Sequence, residues 1–242
     1  MTPSADESVK FLTDKLKNRE PFVFTKFGDG DLYWMADNPV PIAGGETFRP
    51  GIGQELRDAA RSLAALPHVY FGDQLTCASG PYLPDEQLAF IRYRSPAGSP
   101  LKPIDSSRWL HFECLLIHRL SPELLEFYRV LCSMDGLAMC AGDHLDDAAM
   151  HMLGVEWFIN VSRTGAHEEW KDAVIAPVDL PWSILLLAAG RASKMIAAKL
   201  ATQFPTRTII ELGSALDPLF VGRTRSEQVE PEKAREYFKE LL

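Results

Sequence analysis

Phe22-Val-Phe-Thr-Lys-Phe-Gly-Asp-Gly-Asp31 is an apolar run that breaks at Gly28 and ends in two carboxylates one glycine apart. It reads as a strand that delivers Asp29 and Asp31 to the edge of a sheet. Gly28 and Gly30 are free to take backbone angles closed to other residues, which lets a ligand approach the main chain. Two carboxylates at this spacing suit Mg²⁺ or Mn²⁺, which prefer oxygen ligands and often share them with substrate phosphates. A solvated Asp-Gly turn is the competing reading, because so short an acidic motif is common by chance.

Working outward from this strand, Val9, Leu12 and Leu16 share one face of an amphipathic helix over residues 5–17. On the other side, Gly51-Ile-Gly-Gln-Glu-Leu opens a helix striped by Leu56, Ala59, Ala60, Leu63 and Ala64, and His68-Val-Tyr-Phe-Gly72 reads as the next strand. Trp109 to Leu120 has a helical pattern, and Ser121-Pro122-Glu123 then supplies an N-cap, a first-turn proline and an acid for a further helix. Four short apolar runs are suited to strands buried on both faces: Leu137 to Ala141, Glu156 to Val161, Ser183 to Ala189 and Arg207 to Leu212. Helical stretches separate them, at Asp146 to Leu153 and Ala192 to Phe204. Strands alternating with helices predict an α/β fold, a mainly parallel sheet flanked by helices. With no repeat, heptad or linker in view, residues 1–242 are expected to form a single domain with a core over about 20–220 and a closing helix over about 231–242. The Pro-, Gly- and Ser-rich stretch from Thr76 to Asp105 reads as a long functional loop, suited to a lid over an acceptor.

Hydrophobic content of 46% and charged content of 24% over 242 residues match a soluble globular protein with a sizeable core. A formal net charge of -8 gives no basic field to hold nucleic acid. Cys77, Cys114, Cys132 and Cys140 form no C-x-x-C pair and read as buried free thiols. His111 and His118, like His144 and His151, are too widely spaced for a close zinc pair, and His167 reads as a loop residue. The polar, acidic N-terminus is unlike a signal peptide, and the apolar run from Trp182 to Gly190 is too short for a membrane span, so a cytoplasmic enzyme or binding protein is expected.

Two further segments carry chemistry. Leu185-Leu-Leu-Ala-Ala-Gly-Arg-Ala-Ser-Lys194 is a buried strand turning through Gly190 into a helix, a turn that points helix-terminal N–H groups at an anion. Arg191 and Ser193 would add a charge and a hydroxyl to the same phosphate. A plain βα turn with Gly190 present for packing is the alternative. Glu211-Leu-Gly-Ser-Ala-Leu-Asp-Pro218 follows the last strand, where a carboxylate can meet a sugar hydroxyl or move a proton, although Asp217 before Pro218 also suits a simple turn. Asp143 lies after another strand and has the same two readings. No complete dinucleotide fingerprint, Walker A sequence or G-x-S-x-G elbow is present.

Lys26-Phe-Gly-Asp-Gly-Asp31 resembles the R-F-G-D-G-E signature of the GT-D type glycosyltransferases, bacterial sugar transferases with a Rossmann-like fold. Gly51-Ile-Gly-Gln-Glu-Leu resembles the start of that family's second helix, Leu185 to Leu200 its closing strand, Gly-loop and helix, and Ile210 to Asp217 its terminal strand. The resemblance implies a single Rossmann-like domain that moves a sugar from a nucleotide-sugar donor, a UDP-sugar above all, to a hydroxyl of a glycan, glycoprotein or other acceptor. It implies Mn²⁺ or Mg²⁺ at Asp29 and Asp31. Gly28, Gly190 and Ser193 would fall near the nucleotide diphosphate, with Lys26, Phe27, Asp29, Arg191 and Ser214 as further donor-binding candidates. Candidate general bases are Asp217, Asp143 and Glu211, in that order. Lys26 stands for the family's arginine, Asp31 for its glutamate, and Ser214 for a frequent histidine. Two other functions compete: an S-adenosylmethionine-dependent methyltransferase, with Gly190 at the cofactor and Glu211 on its ribose, and a non-catalytic nucleotide-sugar-binding module.

Overall fold

The computed structural model describes residues 2–37, 47–73, 104–119, 121–142, 145, 151–162, 166–217 and 236. In chain order these form α1 (Ala5–Lys17), β1 (Val23–Lys26), α2 (Asp29–Met35), α3 (Ile52–Ala65), β2 (Val69–Asp73), β3 (Trp109–His111), α4 (Pro122–Cys132), β4 (Leu137–Gly142), β5 (Trp157–Val161), α5 (Ala166–Ala173), α6 (Ile175–Val178), β6 (Ile184–Ala188), α7 (Ala192–Gln203) and β7 (Thr208–Glu211). The seven strands make one sheet in the order β3-β2-β1-β7-β6-β4-β5. Every pair in it is parallel.

The apolar runs alternate between two cores. Val23, Ala138, Leu185, Leu187 and Ile209 face a layer built from α2, α3, α5 and α7, whereas Phe24, Met139, Leu186 and Ile210 face α1 and α4. A strand buried on both sides must be apolar at every position, which is why these segments read as continuous runs. The connections β1 to β2, β5 to β6 and β6 to β7 step the same way along the sheet and carry their helices on one face, as a single crossover hand requires. The outcome is an α/β, Rossmann-like arrangement of a parallel sheet between two helical layers. The edge strand β5 departs from expectation, since Trp157 and Phe158 are half-buried and Asn160 is exposed.

Helix ends follow their local chemistry. Ser4 and Glu7 close a reciprocal capping box on α1, and Ser121 Oγ accepts from the Leu124 N–H at 3.3 Å ahead of Pro122. One expectation and one competing reading need correction. The segment from Trp109 to Leu120 is not a helix: it begins as β3, in register with Phe71–Asp73 of β2, and then turns. Arg108 fixes that edge by donating to the carbonyls of Val69, at 2.8 Å, and Leu66, at 2.8 Å. The Gly28–Asp31 segment is likewise no simple turn, because Asp29 starts α2 with Gly28 as its N-cap. The helical end at residues 151–153 falls within the expected Asp146–Leu153 helix, whose first residues lie outside the described ones. Most of the Thr76–Asp105 loop and the 231–242 helix, apart from Glu236, also lie outside them.

Candidate functional site

The carboxyl ends of β1, β7 and β6, three adjacent strands, bring together charged residues far apart in the chain. Glu211 closes β7 and is 1% exposed. Its carboxylate accepts from Thr25 Oγ1 at 2.7 Å and from the Lys26 backbone N–H at 3.1 Å, and it pairs with Lys194 Nζ at 2.5 Å. Lys194 projects from the first turn of α7, where it also lies 3.2 Å from Asp31 Oδ2 and donates to the Gly190 carbonyl at 3.4 Å. Asp31 Oδ2 accepts from the Gly28 N–H at 2.8 Å, which closes the first turn of α2. Its other oxygen lies 3.8 Å from Arg191 Nε.

Three more contacts complete the cluster. The Arg191 guanidinium stacks 4.0 Å from the centroid of the buried Trp34 ring, a cation–π geometry. Lys26 Nζ donates to the Leu212 carbonyl at 2.9 Å and stands 5.6 Å from the Phe112 ring centroid. Gly72, beside Lys26 on β2, leaves room for this, since a Cβ there would come within 2.9 Å of Lys26 Cβ. Lys26, Asp31, Arg191, Lys194 and Glu211 are all buried. Burying charge is costly unless partners compensate, and each carboxylate here faces a cation. Burial opposes the Lys194 ammonium, but Asp31 and Glu211 more than reverse it and hold its pKa above the ordinary lysine value.

Of the residues singled out in the sequence, Lys26, Phe27, Gly28, Asp31, Gly190, Arg191, Ser193 and Glu211 occupy this one edge. Ser193 is fully buried, and its Oγ accepts from the Ala189 N–H at 3.0 Å, bracing the strand-to-helix turn. Ser214 and Asp217 are half-buried in the turn after β7, where the Asp217 N–H donates to the Ser214 carbonyl at 3.2 Å. Asp29 opens α2. Asp143 lies outside the described residues. Glycine's conformational freedom is used at Gly190, with φ 56°, and Gly213, with φ 57°, and not at Gly28, whose φ of -76° is open to any residue. His167 is a correction too: it lies in α5, 1% exposed, with its ring 5.4 Å from that of Trp34. Lys194, Thr25 and Trp34 are the residues that sequence reasoning missed. A signal existed for the first, a lysine in the first turn of a largely apolar helix near a lone glutamate ending an apolar strand.

The sequence resemblance implies a divalent ion at Asp29 and Asp31; the Asp29 side chain lies outside what the structure describes, and the surroundings of Asp31 do not fit the ion. One Asp31 oxygen is taken by the Gly28 N–H and the Lys194 ammonium, and the other faces Arg191. An added dication would sit beside Lys194 and Arg191, where each pair of unit charges 4 Å apart repels by about 4 kcal/mol at an effective dielectric of 20. Among the described residues, no group of three or more His, Cys, Asp or Glu side chains converges on a point.

No protein-family model and no curated protein matches this chain. A solved structure does match, that of a selenomethionine-substituted domain of unknown function, DUF1792. It aligns over 98% of this chain and 98% of its own, with 16% sequence identity and a TM-score of 0.56. The likeness is one of fold, and it extends across the whole chain. Among the described residues, no helix is long and apolar enough to cross a membrane.

Proposed function

We propose that this chain is a glycosyltransferase that moves a sugar from a nucleotide-sugar donor, in the first place a UDP-sugar, to an acceptor hydroxyl of a glycan or glycoprotein. The observation that carries the reading is the cluster of Lys26, Arg191 and Lys194 against Asp31 and Glu211 at the carboxyl ends of the central strands, a described net charge of one positive unit. Such an excess suits an anion, and ligands of α/β sheets bind outside the carboxyl ends of the strands. The resemblance of the Lys26–Asp31 motif to glycosyltransferases of the GT-D type supplies the reaction class.

In that reaction the bond from the anomeric carbon to the diphosphate oxygen breaks as the acceptor oxygen bonds to the same carbon. Negative charge grows on the departing nucleotide diphosphate, and preorganised cations stabilise it as it develops. The acceptor proton goes to a carboxylate. Asp217 is the described candidate with access, being half-buried, whereas Glu211 is sealed and already accepts from three groups. The same sealing weighs against a methyltransferase, which would need Glu211 for a ribose.

Thermal unfolding against UDP-, GDP- and dTDP-sugars and S-adenosylmethionine tests the reading. A sugar nucleotide at 100 times its dissociation constant should add about 2.7 kcal/mol, roughly 5 to 10 °C for a chain of this size. A shift with S-adenosylmethionine alone would overturn it. Binding without turnover would leave a nucleotide-sugar-binding module.

A further inference from the structure

We infer that Lys194 is a built-in cation that ties Asp31 to Glu211, the work a bridging divalent ion could otherwise do, so that the site binds its donor without metal. The inference rests on the transferase reading only for the identity of the donor. Its structural basis is independent of it. Lys194 Nζ lies 2.5 Å from Glu211 Oε1, 3.2 Å from Asp31 Oδ2 and 3.4 Å from the Gly190 carbonyl, so its three donors all have acceptors. Through these contacts one ammonium joins the first turn of α2, the carboxyl end of β7 and the turn into α7.

A metal bridging two carboxylates does the same work by bonding oxygens from different segments, and the charge arithmetic separates the two designs. Asp31 and Glu211 with Lys194 leave one negative charge, which Arg191 at 3.8 Å balances, and Lys26 brings the cluster to one positive unit. With a dication in place of Lys194, the same carboxylates would be neutralised, and Arg191 and Lys26 would both be left in excess. With both present, positive charge would accumulate in a buried site. Lys194 and a divalent ion are therefore alternatives. Lys194 is a positioning residue: it shapes the donor site through Asp31 and Glu211, and removing it should turn a lysine site into a metal site.

Mn²⁺ binding followed by electron paramagnetic resonance, with thermal unfolding in Mn²⁺ and in EDTA, tests this. The wild type should bind no stoichiometric Mn²⁺ at micromolar concentration, and its Tm should be the same in both. Lys194→Met should unfold at lower temperature in EDTA, bind Mn²⁺, and recover several degrees of Tm with it. Lys194→Met combined with Glu211→Gln should lose that recovery, and Lys194→Arg should keep the metal-independent behaviour. Should Lys194→Met fail to fold, the wild-type titration still decides. Stoichiometric micromolar Mn²⁺ binding by the wild type, or a folded Lys194→Met that gains none, overturns the inference. These readouts use no sugar nucleotide. If no sugar nucleotide shifts Tm in either buffer, the transferase reading fails while the metal result stands. If UDP shifts it only with Mn²⁺, the inference fails and the transferase reading survives.

Discussion

Glu211 and Asp217 are both carboxylates beyond the last strand, yet their surroundings assign them different work. Glu211 is sealed beneath Thr25, Lys26 and Lys194, so its charge organises the site. Breaking a buried ion pair from one side costs about 3–5 kcal/mol, because the partner is left uncompensated. Glu211→Gln should therefore lower Tm by roughly 10 °C or more, by thermal unfolding. Asp217→Asn should barely move Tm, since the residue is half-buried in a turn, and should slow sugar transfer by about 10²–10⁴-fold if Asp217 takes the acceptor proton. A large Tm loss in Asp217→Asn with the transfer rate intact would reverse the two assignments. At this scale the sequence showed which residues gather but not how they pair. Asp31 looked like a ligand because two acids around a glycine at a strand's end suit a metal. Its actual partners, Gly28 and Lys194, are visible only in the fold, where the first turns of α2 and α7 meet through the Asp31–Lys194 pair.

α2 is an element that sequence reasoning overlooked, for a definable reason. It has seven residues, opens with Asp-Gly-Asp, and contains a glycine, a combination that local propensity assigns to a turn. Tertiary packing against α3 overrides that propensity. Trp34 and Met35 are buried there, and the Trp34 carbonyl meets Gly53 of α3 so closely that a Cβ at Gly53 would collide with it and lie 2.5 Å from Asp37 Oδ1. Alanine in a helix is favoured over glycine by about 1 kcal/mol, but overpacking against fixed backbone costs about 1–3 kcal/mol, and here the colliding atom is backbone. Gly53→Ala should thus lose about 2 kcal/mol, roughly 4 to 8 °C in Tm, and weaken donor binding by shifting Asp31 with α2. An unchanged or higher Tm would show that α2 gives way at no cost. β3 was misread for a related reason. Trp109, Phe112 and Leu116 fit a helical period, and periodicity cannot separate a short buried strand from a helix when the deciding contact is a neighbouring strand.

Across the whole molecule the sheet was legible because burial on both faces demands apolar runs, and four of those runs became β4 to β7. Strand order was not, since every one of these crossovers is long enough to reach more than one neighbouring position in the sheet. The same extensive burial sets how the fold responds to acid. His68, His111 and His167 lie before β2, at the end of β3 and in α5, and burial pushes each pKa below the ordinary 6.5, with Arg108 adding to the effect on His68 and Arg119 on His111. Between 6.5 and those lower values, the unfolded chain holds protons that the folded chain refuses, so stability rises with pH there. Stability should be level above about pH 7.5 and decline as pH falls through 6.5. His167, almost fully buried, should contribute up to about 1.4 kcal/mol per pH unit in that window. The raised pKa of Lys194 leaves that ammonium charged in both states throughout the window, and carboxylates such as Glu55, held below 4.5, begin to cost stability only at lower pH. Tm measured from pH 7.5 to 5.5 checks this. His167→Asn should start from a lower Tm but fall less steeply, because one proton difference has been removed. A flat wild-type profile, or equal slopes in the two proteins, would mean that these histidines are hydrated enough to take up protons without disturbing the fold.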